Sequence, residues 1–241
     1  MLYLIGLGLD KKDISLKALE AIKACDKVYL ETYTNVYYYS QKDVERTIKR
    51  KVIPADRKNI EEGKEILEQA KKQKIALLVS GDPLAATTHV DLLLRAKKMK
   101  IKTKIIHAPS IFTAIAETGL QLYKFGKTGS IAKWSQSFRP DSFYDIIKGN
   151  DEMEAHTLLL VDIGLSVNEA LGYLDTIAKA RDLAMLERKI IVCERLGTDT
   201  GKFTVGKIPV LMNKKFKLPA CIIIPGKLHF VEEDALKELT A

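Results

Sequence analysis

The stretch that most constrains the fold is the apolar run Ile75-Ala76-Leu77-Leu78-Val79, which is followed directly by Ser80-Gly81-Asp82-Pro83. The run shows no alternation of apolar and polar residues, as expected of a strand buried on both faces of a parallel sheet. Comparable short runs occur at residues 2–5, 28–31 and 104–107. Amphipathic helical stretches separate these runs, and this alternation predicts an α/β protein with parallel or mixed sheets.

The second half of the chain repeats this organisation without any internal sequence repeat. Strands are predicted at residues 157–161, 190–193 and 221–224, and helices near 142–148, 167–181 and 231–239. A length of 241 residues allows two domains of ordinary size. We therefore predict two α/β domains, residues 1–112 and 113–241.

Two polar pairs predict helix starts in the first domain. Ser40 with Asp43, and Asn59 with Glu62, have the spacing of capping boxes before residues 44–49 and 66–72.

Composition indicates a protein outside the membrane. No uncharged apolar run approaches the ~18 residues that a membrane span requires, and the N-terminus opens directly into a predicted strand. The three cysteines, Cys25, Cys193 and Cys221, form no CxxC motif and are expected to be buried free thiols. A cytoplasmic protein is expected.

The chain carries a formal net charge of +8. Its lysines are spread along predicted helical faces rather than gathered in one patch, and no interleaved aromatic and basic motif is present. Direct nucleic-acid binding is therefore not expected, although a basic surface suits an acidic macromolecular partner.

Gly6-Leu7-Gly8 follows the first strand and indicates a close approach to the backbone there. With the acidic Glu31 at the end of the second strand, it leaves open a nicotinamide-dependent oxidoreductase. Against that function, the third glycine of the dinucleotide motif would fall at position 11, which is Lys11.

The loop Ser80–His89 is the strongest local feature, because it begins where open α/β sheets bind ligands, at the carboxyl end of a buried strand. Pro83 fixes the backbone after Asp82, so that the carboxylate either faces a ligand cleft at this strand end or caps the following helix. His107-Ala108-Pro109-Ser110 is built in the same way after the next strand. Together the two loops predict a ligand floor.

Other catalytic motifs are absent from the sequence. Gly126-Lys127-Thr128 lacks the first glycine of a phosphate-binding loop, since position 121 is Gln121. The histidines and cysteines have no metal-ligand spacing, and no GxSxG motif occurs. We expect no metal, and the sequence identifies no catalytic residue.

Several segments together resemble the tetrapyrrole methylase superfamily and, within it, the diphthine synthase family. They are YLIGLGL at 3–9, GDPLAATTH at 81–89, HAPSI at 107–111, GLQLYKFGKT at 119–128, HTLLLVDI at 156–163 and IIIPGKLH at 222–229. The GDP loop is shared across the superfamily, whereas the combination with HAPSI, YKFGK and PGKLH is typical of diphthine synthases.

The resemblance implies a homodimeric methyltransferase of two α/β domains with a cofactor cleft between them. It would use S-adenosyl-L-methionine and release S-adenosyl-L-homocysteine. The implied substrate is the amino group of the carboxy-aminopropyl-modified histidine of elongation factor 2, which becomes diphthine during diphthamide biosynthesis. The implied cofactor contacts are Leu9, Asp82, Ala85, Ser110, Ile111, Val161, Leu196 and Ala220.

Two features depart from the family pattern: the segment after Asp162 is shorter, and Leu196 replaces a smaller residue. The alternatives are a methyltransferase of the same fold acting on ribosomal RNA ribose or a tetrapyrrole and, from another class, the nicotinamide-dependent oxidoreductase.

Overall fold

The computed structural model describes residues 1–33 and 38–239 of the chain. It divides into two compact units, Met1–Phe112 and Thr113–Ala241, and each is described by itself. Within the described ranges, no helix combines the length and the apolar character needed to cross a membrane.

The first unit is a five-stranded sheet with helices between its strands. In chain order its elements are β1 (Leu2–Gly6), α1 (Leu16–Lys23), β2 (Lys27–Glu31), α2 (Gln41–Ile48), β3 (Ile53–Ala55), α3 (Arg57–Glu62), α4 (Lys64–Lys72), β4 (Ile75–Val79), α5 (His89–Lys98) and β5 (Thr103–Ile106). The strand order is β3-β2-β4-β1-β5, and every pairing is parallel. All carboxyl ends therefore lie at one edge of the sheet.

Strand β4 joins two hydrophobic cores, one on each face of the sheet. Leu77 and Val79 pack into one cluster, and Ala76 and Leu78 pack into the other. Since successive side chains of a strand point to opposite faces, the apolar run is buried on both sides, as its sequence predicts.

Of the two predicted helix caps, one is confirmed and one is wrong. Ser40 and Asp43 form a capping box at the start of α2. Asn59, however, is the third residue of α3, whose N-cap is Asp56. The Asp56 carboxylate accepts the Asn59 N–H, and α3 ends at Gly63 in the left-handed conformation (φ 56°) before α4 begins.

The second unit holds a mixed five-stranded sheet. Its elements, after the one-turn helix α6 (Ile111–Ala114) at the division, are β6 (Gly129–Ile131), α7 (Ser142–Glu152), β7 (Thr157–Val161), α8 (Val167–Arg181), β8 (Ile190–Glu194), β9 (Lys202–Gly206), α9 (Ile208–Leu211), β10 (Ala220–Ile224) and α10 (Phe230–Glu238), with 3₁₀ turns at Ile115–Thr118, Leu122–Lys124 and Leu183–Glu187. The order is β6-β7-β10-β8-β9, in which only β6 and β7 pair in parallel. The predicted α/β class with parallel and mixed sheets is confirmed.

Candidate functional site

The carboxyl ends of β4, β1 and β5 bring three loops together in the first unit. Strand β1 lies between the other two, with Gly6 opposite Val79 and Ile5 opposite Ile106. The loops after β4 and β5 are the two that the sequence predicts at the ligand floor, and the loop after β1 contains the glycines where it predicts a close approach to the backbone.

Two glycines couple the loop after β1 to the loop after β4. Gly81 N–H donates to the Gly8 carbonyl at 2.8 Å, and Gly8 N–H donates back to the Gly81 carbonyl at 3.3 Å. Both residues have positive φ, 77° at Gly8 and 67° at Gly81, a conformation that glycine adopts without steric cost. The two loops therefore continue the sheet's hydrogen bonding beyond its last regular pair.

Asp82 connects the loop after β4 to the loop after β5. One carboxylate oxygen (Oδ1) accepts the Leu84 N–H at 2.9 Å, and the other (Oδ2) accepts the Ala108 N–H at 3.2 Å and is 2.7 Å from Nδ1 of His107. Only 14% of the Asp82 side chain is exposed. Since α5 begins at His89 with Thr88 at its N-cap, Asp82 does not cap that helix, and that alternative is wrong.

The other first-unit residues of the implied cofactor set lie on the same three loops. Leu9 is half-buried, and its N–H donates to the Asp13 carboxylate at 2.9 Å. Ala85 is half-buried and donates to the Asp82 carbonyl at 3.1 Å. Ser110 is buried and Ile111 half-buried, at the start of α6.

Gly81 lies close to the loop after β5. A Cβ built on Gly81 would come no closer than 3.9 Å to the Pro109 carbonyl oxygen or to Ser110. Backbone groups of small residues thus line this edge, as suits a ligand recognised through main-chain contacts.

In the second unit, the three remaining residues lie at one edge of the sheet. Val161 ends β7, Leu196 follows β8, and Ala220 begins the antiparallel β10. Ala220 is opposite Glu194, the last residue of β8. Val161 and Ala220 are half-buried, whereas Leu196 is buried, with 4% of its surface exposed.

Glu31 does not have the geometry of a dinucleotide-binding acid. The residue is fully buried, and its carboxylate accepts the N–H of Tyr33. A carboxylate that binds a ribose must reach a ligand at the sheet edge, so this observation argues against the nicotinamide alternative.

The YKFGK and PGKLH motifs meet in a buried polar network at the other end of the second sheet. The fully buried Glu232 accepts hydrogen bonds from Lys124, from His156 Nε2 at 3.0 Å and from the backbone N–H of Gln121 at 2.9 Å. Burial alone would raise the pKa of Glu232, but the backbone N–H of His229, the Lys124 ammonium and the other donors outweigh it and lower the pKa to about 2. The contacts of Glu232 therefore link the two motifs to each other within the second unit.

Sequence reasoning missed two features of this site. It did not find the pairing of His107 with Asp82, which joins residues 25 apart in the chain. It also missed Asp13, whose carboxylate accepts the N–H groups of Leu9 and Asp10 and fixes the turn after Gly8. The sequence signal that could have indicated the pairing was the position of His107 directly after β5, at the same edge of the sheet as Asp82.

The sequence matches the family Tetrapyrrole (Corrin/Porphyrin) Methylases over residues 1–211. A diphthine synthase of Methanocaldococcus jannaschii is 43% identical over 253 residues, which cover 99% of this chain and 98% of the relative. A diphthine methyl ester synthase of Bos taurus is 39% identical over 271 residues, which cover 100% and 95%.

Among solved structures, a crystal structure of diphthine synthase superposes with a TM-score of 0.90 at 34% identity, covering 100% of this chain and 96% of the other. A candidate diphthine synthase from Entamoeba histolytica gives a TM-score of 0.92 at 38% identity, covering 100% and 98%. The chain therefore belongs to the tetrapyrrole methylase family, within which it groups with the diphthine synthases, and it is a methyltransferase.

Proposed function

We propose that this protein methylates the amino group of the carboxy-aminopropyl side chain on the modified histidine of elongation factor 2, forming diphthine. The observation that carries the proposal is similarity over the full length to proteins named diphthine synthase. The methyl donor is S-adenosyl-L-methionine, and the product is S-adenosyl-L-homocysteine.

The proposed cofactor contacts lie at a strand-end edge in each unit. In the first unit the binding residues are Leu9, Asp82, Ala85, Ser110 and Ile111. In the second unit they are Val161, Leu196 and Ala220. Most of these side chains are apolar or small, so that the cofactor is recognised through backbone groups and van der Waals contact. The carboxylate of Asp82 contributes by holding two loops in place.

S-Adenosyl-L-methionine supplies a methyl group that is already activated for displacement. The residues of the chain therefore need to position the substrate nitrogen in line with that carbon and to exclude water. This requirement suits a site formed from backbone turns and small side chains.

Elongation factor 2 is the protein substrate, and the enzyme acts in the cytoplasm as a homodimer. The net charge of +8 favours association with an acidic face of the factor by electrostatic steering.

The test is transfer of label from S-adenosyl-L-methionine to elongation factor 2 that carries the carboxy-aminopropyl histidine. We expect labelled factor, and no label when the target histidine is replaced. Because the bovine relative is named for a methyl ester, the product is also treated with mild alkali, which removes ester methyl groups and leaves those on nitrogen. Transfer to ribosomal RNA or a tetrapyrrole instead of the factor would overturn the proposal.

A further inference from the structure

We propose that His107 is the proton acceptor for methylation of the substrate nitrogen, and that Asp82 positions it. The inference rests on the proposed function, because it assigns a residue to the same reaction. It starts from the position of His107 at the carboxyl end of β5, beside the loops that hold the proposed cofactor residues.

The contact with Asp82 fixes the tautomer of the imidazole ring. An ionised carboxylate only accepts hydrogen bonds, so Nδ1 of His107 must carry the hydrogen that lies between it and Oδ2 of Asp82 at 2.7 Å. The neutral ring then has its lone pair on Nε2. This is the arrangement by which a carboxylate orients a histidine base and stabilises the imidazolium that forms.

Exposure leaves Nε2 available to a substrate. The His107 side chain is 68% exposed, whereas that of Asp82 is 14% exposed. Among the residues that the structure describes, Nε2 of His107 makes no hydrogen bond. The ring is thus held on its Nδ1 side and open on its Nε2 side.

Other titratable side chains near this edge are committed to the fold. The Asp13 carboxylate accepts the N–H groups of Leu9 and Asp10. Glu31 and His89 are fully buried. Among the described residues, His107 therefore combines a ring nitrogen that makes no hydrogen bond with an exposed side chain.

Methylation of an amine requires a neutral nitrogen before every transfer. The nitrogen lone pair forms the new N–C bond, while the electron pair of the broken C–S bond goes to the departing sulfur. A nitrogen that keeps a hydrogen is then protonated and cannot react again. His107 Nε2 takes that proton, and the exposed imidazolium releases it to water before the next transfer.

Two variants at this position separate a base from a structural role. In His107→Asn the side-chain amide still donates to Asp82 but has no basic nitrogen, and in His107→Ala both are lost. We expect both variants to methylate nitrogen at least about 10²-fold more slowly than wild type, with unchanged calorimetric affinity for S-adenosyl-L-methionine. Free imidazole should restore part of the rate of His107→Ala. His229→Asn, at the exposed N-cap of α10, is the matched control and should keep the wild-type rate.

Wild-type activity in the Asn variant would overturn the proposal and assign His107 to loop structure alone. Loss of cofactor affinity large enough to explain the slower rate would overturn it in favour of a binding role. A wild-type enzyme that transfers no label to the factor would refute the proposed function itself, and this assignment with it. Independently of activity, ¹⁵N chemical shifts of the neutral ring should show a hydrogen on Nδ1, and a hydrogen on Nε2 would contradict the geometry.

Discussion

Gly6 is the position at which a single methyl group should disturb the site most. Gly6 ends β1, which lies between β4 and β5 in the sheet, and the loops from β4 and β5 close over it. A Cβ built there would lie 2.6 Å from the Gly81 carbonyl oxygen, 2.8 Å from Cβ of Ala108 and 3.0 Å from Cδ of Pro83. Ordinary van der Waals contact begins at 3.4 Å. Gly6→Ala must therefore push the two loops apart.

The size of the effect follows from these distances. The Gly81 oxygen would have to move by about 0.8 Å and the Ala108 side chain by about 0.6 Å to reach ordinary contact. The hydrogen bond from Ala108 N–H to Asp82 is already 3.2 Å long, so a shift of this size breaks it. Overpacking of this kind costs about 1–3 kcal/mol. For a unit of this length, the loss lowers the melting temperature by roughly 4 °C per kcal/mol.

The assay is thermal unfolding of the full chain together with calorimetric titration of S-adenosyl-L-methionine. Gly6→Ala should lower the melting temperature of the first unit and weaken cofactor binding. Gly172→Ala in α8 is the control, because a Cβ there meets nothing within 4 Å, and it should stabilise by about 0.5–1 kcal/mol. A Gly6→Ala protein that melts and binds cofactor like wild type would refute the argument that Gly6 closes the loops.

Three further outcomes are expected. Asp82→Ala removes three hydrogen bonds, so it should lower both cofactor affinity and the melting temperature; an unchanged melting temperature would contradict its role in joining the loops. Glu232→Gln should destabilise the chain by about 3 kcal/mol in urea unfolding, because Lys124 loses its buried carboxylate, and an unchanged midpoint would exclude that role. Burial lowers the pKa of His89 and of His156 below 6.5, so the unfolded chain takes up protons first on acidification. The contribution of these two histidines to the stability of the folded chain is therefore complete above about pH 6.5 and declines below it. A melting temperature that stays constant from about pH 7 to 5 would contradict this.

The central elements of the fold could be predicted because burial on both faces leaves a simple pattern. Strands Ile75–Val79 and Thr157–Val161 have the predicted bounds, and so does helix Val167–Arg181. The helix starts at a capping box of Ser166 and Glu169. Continuous apolar runs and reciprocal caps are local properties, so the sequence displays them directly.

Three of the four edge strands could not be predicted in this way, whereas the fourth, Thr103–Ile106, overlaps the predicted strand at 104–107. Ile53–Ala55, Gly129–Ile131 and Lys202–Gly206 were missed, and each forms an outer strand of its sheet. An edge strand is short and pairs on one side only, so it needs neither a long apolar run nor regular alternation. Pro54 makes the strand Ile53–Ala55 harder to recognise, because proline has no N–H to donate to a neighbouring strand and is tolerated in a sheet mainly at its edge.

The position of the candidate site could be predicted from the sequence, but the contacts between its residues could not. The location of Asp82 at a strand end followed from the buried run before it. Its contact with His107 depends on the strand order, which places β1 between β4 and β5. It also depends on the missing side chain at Gly6, which lets the loops after β4 and β5 meet above β1. Neither condition is visible in the local pattern around either residue.

These observations explain why a search for reactive side chains finds little in this sequence. A donor that is already activated removes the need for a nucleophile or a metal, and positioning becomes the main requirement. In the proposed function, positioning is achieved by glycine turns, by one carboxylate that joins two loops, and by apolar residues whose contribution is their backbone. What remains for a side chain is the proton, and the exposed His107, held on one nitrogen by Asp82, is suited to accept it. If so, the carboxylate of the GDP loop serves the reaction twice: it sets the shape of the cofactor edge and it orients the base. Substitution of Asp82 should then slow nitrogen methylation even at saturating cofactor. Substitution of a residue that only binds the cofactor would leave the rate at saturating cofactor unchanged.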